Sequence, residues 1–258
     1  MRQFAIVFAI CLSSIAGAAA GQSKDANLTT YLAGVTERGR ALYAYDQAAW
    51  HATDAFFELK PKIEGLTHYI CTRGPAGWTV SFPRWNEAHD KLFVAYVASE
   101  SETGKYEARG YDQPSDASEE LVAKERAMEL ALTDFGTPNR PYNTAILPAS
   151  DGNLYVYLYP AQTKDTVWPL GGDVRYTISP DGKSVIEKRQ LHKTILDMEF
   201  KPGSQTVAGV HSHILTDVPE DTDVLYVLNR KPSIPEYIGT SKRIFIVNTD
   251  GTIAITKR

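Results

Sequence analysis

The sequence predicts an α+β fold: an N-terminal helical segment and a small β-meander, then a helix packed on a larger, mainly antiparallel sheet. Three observations predict it. Apolar residues recur at three- and four-residue steps up to about Lys60 and again from about Ala117 to Phe135, the period of one helical face. The segments between and beyond them alternate β-branched and aromatic residues with polar ones, as half-buried strands do. Asp151-Gly152, Asp181-Gly182 and Asp250-Gly251 each sit between two such strand-like runs, which is hairpin chemistry. The division falls between residues 22–111 and 116–258, two parts that can share one core.

The chain starts with Arg2, an apolar run from Phe4 to Ile15 and the small residues Ala16-Gly17-Ala18-Ala19-Ala20, the order of a signal peptide over residues 1–20. This predicts a secreted or periplasmic protein. The apolar run is too short to span a bilayer, and no later stretch approaches the roughly 18 to 20 apolar residues a span requires, so no membrane span is expected after cleavage. Cys11 leaves with the leader. Cys71 then remains as a lone thiol, with no internal disulfide.

Leu28, Leu32, Val35, Leu42, Ala49 and Phe56 mark the first helical stripe. Gly34 and the Arg38-Gly39-Arg40 stretch weaken it, because glycine costs about 1 kcal/mol against alanine inside a helix; the spacing fits one helix or two. Thr67 to Thr72, Trp78 to Phe82 and Lys91 to Ala98 form the meander, with breaks at Gly74-Pro75 and Asn86 to Asp90. Ser99 to Glu120 is rich in Ser, Glu, Asp, Gly and Pro and reads as a boundary or connection. Leu121, Val122, Ala127, Met128, Leu130, Ala131, Leu132 and Phe135 then carry a helix, which Gly136 and Pro138 stop. The hairpins pair Asn143–Leu147 with Leu154–Tyr159, Asp173–Ile178 with Ser184–Leu191, and Ile244–Asn248 with Thr252–Ile255. Both central residues of each Asp-Gly turn are expected at positive φ. Val224 to Leu228 reads as a further strand.

With 27 Lys+Arg against 31 Asp+Glu, the net charge of -4 supplies no general attraction to nucleic acid or to an anionic lipid surface. A hydrophobic share of 43% is enough to form a core, which excludes a disordered chain.

The strongest chemical signal is Val207-Ala208-Gly209-Val210-His211-Ser212-His213-Ile214-Leu215, followed by Asp217, Glu220, Asp221 and Asp223. On a strand, residues i and i+2 share a face, so His211 and His213 can present two imidazoles to one divalent metal, with zinc the first choice. A carboxylate from the following turn, Asp221 or Asp223, would complete three protein ligands and leave a position for an activated water. The competing reading makes both histidines ordinary hydrogen-bonded strand residues.

At these residues the chain resembles the JAB/MPN metal-hydrolase family, whose signature is His-x-His, a short spacer, a Ser and then an Asp, with a glutamate on an earlier element. His211 and His213 stand at its two histidine positions. Its serine position falls at Asp221 and its aspartate position at Val224, one residue beyond Asp223; the family's helix after the motif falls where Val224–Leu228 predicts a strand. Glu187 and Glu199 lie upstream, and neither is distinguished as a general base. The resemblance implies metal-assisted peptide or isopeptide hydrolysis. The same His-x-His also begins the cupin metal pattern, with Asp217 at its acidic place, but no histidine follows His213; His192 lies upstream and would have to arrive by a different topology.

Elsewhere, Asp46, Trp50 and Asp54 share a helix face beside His51, which gives half of a general-base arrangement or a packed aromatic face. The three-residue spacing of His68 and Cys71 turns them to opposite faces of a strand, leaving Cys71 a buried thiol. Tyr155, Tyr157, Tyr159 and Trp168 could line a peptide or glycan groove or pack against a helix. No catalytic residue is assigned. The leading expectation is an exported, non-catalytic binding module for a peptide, protein or glycan, and the alternative is a zinc hydrolase built on His211, His213 and Asp221 or Asp223.

Overall fold

In a computed structural model, the chain is described for residues 13–256 apart from 201, 202 and 204, with side chains from residue 26 onward. Residues 1–12 of the expected leader lie outside the described residues. The first element is one continuous helix, α1 (Ser13–Glu58). Gly39 is buried inside it where another helix crosses: a β-carbon at Gly39 would meet the side chain of Val224 and come within 2.7 Å of the Asp221 carbonyl. The residue that weakens the helical pattern thus permits the closest helix–helix approach. No described helix is long and apolar enough to cross a membrane.

Next come β1 (Ile70–Gly74), β2 (Gly77–Trp85), β3 (Leu92–Glu100) and β4 (Tyr106–Asp116), an antiparallel sheet in that order. The expected connection over 99–120 is therefore corrected to a fourth strand. β4 is an edge strand paired only with β3, and most of its side chains face water. It consequently needs no apolar alternation, and Tyr106, Ala108 and Tyr111 suffice to hold it on the core. Then α2 (Glu119–Phe135) starts where the Ser118 side chain accepts the Leu121 N–H and ends at Gly136, φ 80°.

The second sheet draws on β5 (Tyr142–Pro148), β6 (Leu154–Pro160), β7 (Val167–Gly171), β8 (Val174–Ile178), β9 (Val185–Gln190) and β10 (Ile195–Glu199). Four of these form an antiparallel sheet in the order β5-β6-β8-β9, while β7 leaves it to pair with β10. The Asp-Gly turns close as expected, but only the glycines take positive φ: Gly152 at 86°, Gly182 at 76° and Gly251 at 83°. Each loop has three or four residues and ends on its glycine or one residue later, so a left-handed aspartate is not required. The expected alternating tyrosines are mostly interior: Tyr157 and Tyr159 are buried. The main core joins α1, both sheets and α2, for example through Leu42, Phe56, Val80, Met128, Val156 and Tyr176.

The chain finishes with β11 (Gly209–Ser212), α3 (Asp221–Asn229), β12 (Glu236–Gly239), β13 (Ile244–Val247) and β14 (Ile253–Ile255), the four strands adjacent in that order. β11 and β12 are parallel, and α3 is their crossover. The strand expected at Val224–Leu228 is corrected to this helix. A capping box starts it, with the Glu220 side chain accepting an N–H of the first turn and Asp223 accepting the Glu220 N–H at 2.7 Å. Residues from Asp221 to Val227 are all buried, packed on α1, β7 and β13. A helix covered on every side loses its polar stripe, and with it the periodic signal. A second, smaller core of Leu32, Val35, Leu170, Val224, Val227, Ile238 and Phe245 lies beneath this crossover.

Candidate metal centre

The parallel register of β11 decides where its histidines point. His211 pairs with Ile238, and the His213 N–H continues the ladder by donating to the Gly239 carbonyl at 2.9 Å. The two imidazoles therefore share a face, with Nε2 atoms 3.1 Å apart. The crossover then returns the first turn of α3 beneath them, bringing Asp223. A third imidazole arrives from the loop after β9: His192 Nε2 lies 2.9 Å from that of His213.

The opposite ring nitrogens settle what these Nε2 atoms are. His213 Nδ1 lies 2.8 Å from the Val218 carbonyl, which can only accept, so this nitrogen carries the proton. His192 Nδ1 lies 2.7 Å from an Asp173 oxygen and His211 Nδ1 2.9 Å from a Glu236 oxygen, both again acceptors. In the neutral rings, the His213 Nε2 lone pair accordingly meets those of His192 and His211. Lone pairs repel; either protons or a cation must sit among them.

Asp223 completes the arrangement. Its Oδ1 is 3.3 Å from His192 Nε2 and 3.2 Å from His211 Nε2, and its Oδ2 is 3.3 Å from His213 Nε2. Oδ1 is buried without a hydrogen-bond partner. Four donors held about 2.0–2.2 Å from one ion in a tetrahedron lie roughly 3.3–3.6 Å apart; the His213 ring lies 2.9–3.1 Å from the other two, the Asp223 oxygens lie 3.2–3.3 Å from all three rings, and the four donor atoms as a set lie within 4.8 Å of one another. The donor set fits a metal, and the outer contacts match the rule that a ligating histidine gives its second N–H to a carboxylate or carbonyl. His192, His211, His213 and Asp223 thus form a cluster that could hold a metal ion.

The electrostatics without metal agree with this geometry. Burial works against charge on His192, but Asp173 and Asp223 outweigh it and hold the ring well above its ordinary range. Burial likewise opposes charge on His211, yet Asp223 and Glu236 push it up to about 9. Asp223 itself, despite burial, is held well below the usual carboxylate range by His192 and His213. The acids around His192 and His211 thus favour positive charge at this site.

Of the residues singled out in the sequence, the structure brings His211, His213 and Asp223 together and places Asp221 elsewhere. The Asp221 carboxylate is tied up by Arg38 at 2.9 Å, Arg175 at 2.8 Å and the Tyr157 hydroxyl at 2.8 Å. Two residues apart on α3, Asp221 and Asp223 face different partners. Asp217 pairs with Ser241 and Lys242 at the surface. Glu187 and Glu199 are exposed on β9 and β10. Sequence reasoning names His192 only as a histidine that would need a different topology to reach the site, and it misses Asp173 and Glu236; no local spacing links these residues, and only the sheet topology does. Asp46 accepts from the Tyr159 hydroxyl at 2.7 Å and from Asn229 at 2.9 Å, while His51 stacks on Trp50. His68 turns to Glu125 of α2 at 2.8 Å. Cys71 is buried against Tyr45, and burial pushes its thiol far above the ordinary range.

A cavity of about 330 Å³ opens over the three imidazoles, with Lys193, Thr194 and Ser212 among its other walls; Asp223 is not in its lining. The carboxylate therefore backs the site from the protein interior. Leu196, Val210, Ile214 and Leu215 line the same cavity yet are largely exposed, forming an apolar margin.

No known protein family, curated protein or solved structure matches the chain. Fold and site together define an α+β protein with a three-histidine, one-aspartate cluster able to hold a metal ion.

Proposed function

We propose that the protein is an exported metal-dependent hydrolase that uses zinc and acts on peptide or protein substrates. The observation that carries this reading is the convergence of three Nε2 lone pairs and the orphaned Asp223 Oδ1 directly below an open cavity. Imidazole and carboxylate together suit zinc, which when bound polarises a carbonyl and acidifies water toward neutrality. The chain's own residues orient the rings through Asp173, Glu236 and Val218, and the three-histidine face leaves room for a further ligand from the cavity. Lys193 brings a positive charge to that cavity, suited to an oxygen that becomes negative. The exposed apolar margin favours a peptide segment over a small polar substrate.

The His-x-His at the end of a strand, with an aspartate in the first turn of the next helix, supports the JAB/MPN resemblance more closely than the sequence pattern does. His192 departs from the two-histidine set. Four protein donors also favour a second reading, a closed structural zinc. One experiment separates them: metal content, thermal stability and hydrolysis of a fluorogenic peptide library are measured for the parent and a His211→Ala, His213→Ala variant. About one zinc per chain and chelator-sensitive hydrolysis, both lost in the variant, support the hydrolase. Zinc that raises the melting temperature without hydrolysis supports the structural site, and no zinc in either protein removes both.

A further inference from the structure

Next to the cavity over the metal cluster lies a larger one of about 490 Å³, within the size range of small-ligand sites. Leu170 and Gly171 contribute to both cavities. Two indoles, Trp50 and Trp168, belong to its walls, together with the side-chain amides of Gln47, Asn143 and Asn229. Polar atoms in this wall carry a mark that the fold does not explain. The Trp168 indole N–H and the Thr222 hydroxyl are buried without hydrogen-bond partners, and Thr222 is only 5% exposed. Buried polar groups are almost always paired, so these orphans, with the Tyr226 hydroxyl a third in the same wall, point to a partner that comes from outside the chain.

The chemistry of that partner follows from the walls. An indole N–H can only donate, so the ligand brings an acceptor oxygen, which an ammonium group lacks. Asp46, Asp54 and Asp173 face the cavity against Lys231, an acidic balance that disfavours phosphate or carboxylate. His51 covers one face of Trp50, their ring centroids 4.8 Å apart, and the indole remains 58% exposed. Flat aromatic faces beside amides and hydroxyls match a ring with apolar C–H faces and equatorial hydroxyls.

We infer that this cavity is a carbohydrate site that takes a neutral disaccharide-sized ligand, with Trp50 as a stacking surface and Trp168 and Thr222 as hydrogen-bonding groups. It is separate from the metal cluster and does not depend on the hydrolase reading. Asp173 nevertheless links the two, since it lines this cavity and holds His192.

The test is a tryptophan-fluorescence and calorimetric titration with N,N′-diacetylchitobiose, a neutral β-linked disaccharide with carbonyl acceptors, beside N-acetyl-trialanine amide as the peptide rival. Saturable binding of the sugar is expected at or below about 10 mM, a range typical of a single weak site. Trp168→Phe keeps an aromatic side chain but removes the pyrrole half of the indole with its N–H, and Thr222→Val keeps the shape and removes the hydroxyl. Each is expected to weaken binding about three- to ten-fold, the range for one lost hydrogen bond, with no fall in melting temperature for Thr222→Val. The His211→Ala, His213→Ala variant is expected to bind the sugar as the parent does. Absence of saturable sugar binding, binding unchanged in both cavity variants, or binding of the peptide in place of the sugar would each overturn the assignment.

Discussion

Two glycines of α1 should respond in opposite directions to the same substitution. Gly34→Ala and Gly39→Ala each add a methyl group to a helix interior, where alanine is favoured by about 1 kcal/mol. At Gly34 the new methyl meets only Arg38, 3.1 Å from its Nη1, while Nε and Nη2 hold Asp221; the guanidinium needs to give by only a few tenths of an ångström, without leaving that pair. The helix gain should survive there, raising stability by roughly 0.5–1 kcal/mol. At Gly39 the methyl meets the Val224 side chain and, at 2.7 Å, the Asp221 carbonyl, neither of which moves without shifting α3. Overpacking of this kind costs about 1–3 kcal/mol or more, which exceeds the helix gain. Gly39→Ala should lower the melting temperature, at about 2–4 °C per kcal/mol for a chain of this length. Because α3 carries Asp223, the same variant should bind zinc more weakly. Thermal melts of chelator-treated protein and zinc titrations monitored by calorimetry measure both effects. Equal melting temperatures for the two variants, or parent-like zinc affinity in Gly39→Ala, would refute the close-crossing argument.

The neighbouring acids of α3 should separate stability from metal. Asp221→Asn should destabilise by about 3 kcal/mol, since it strips the charge partner from buried Arg175, yet retain zinc; Asp223→Asn should lose zinc, with metal analysis and denaturant titration as the two readouts. Glu236→Gln should weaken zinc binding about 10–100-fold through loss of the carboxylate that orients His211. Protons compete with metal at His211, whose folded value is raised to about 9. Zinc affinity should therefore climb from about pH 6.5 toward pH 9. In the metal-free protein the sign is reversed, because a raised histidine stabilises fully below its unfolded value and the contribution fades as pH rises through about 9. Melting temperatures of chelated and zinc-loaded protein should thus diverge across this window, and parallel curves would count against His211 as a ligand. Cys71 should resist alkylation in the native state at pH 8 and react only after denaturation, because the thiol is buried and its ionisation suppressed.

Local chemistry made much of this protein legible. The stripe from Leu28 to Phe56, the Ser118 and Gly136 ends of α2, and the three Asp-Gly hairpins are interactions within a few residues, and such interactions leave their mark in the sequence. The i, i+2 placement of His211 and His213 belongs with them, because strand geometry alone puts both on one face. Other features answered to distant neighbours. β4 is a strand because β3 offers it a free edge, and Val224–Leu228 is helical because a parallel β11–β12 pair requires a crossover. Asp221 and Asp223 are indistinguishable as acids in the sequence, but α3 turns one toward Arg38 and Arg175 and the other toward three imidazoles. His192, 19 residues before His211, joins them only once two sheets are packed side by side. The sequence by itself determined the first two helices, the hairpins and two of the four candidate ligands as a pair. The tertiary structure decided the rest, since convergence of side chains across a core depends on register and crossover, which no short-range spacing encodes.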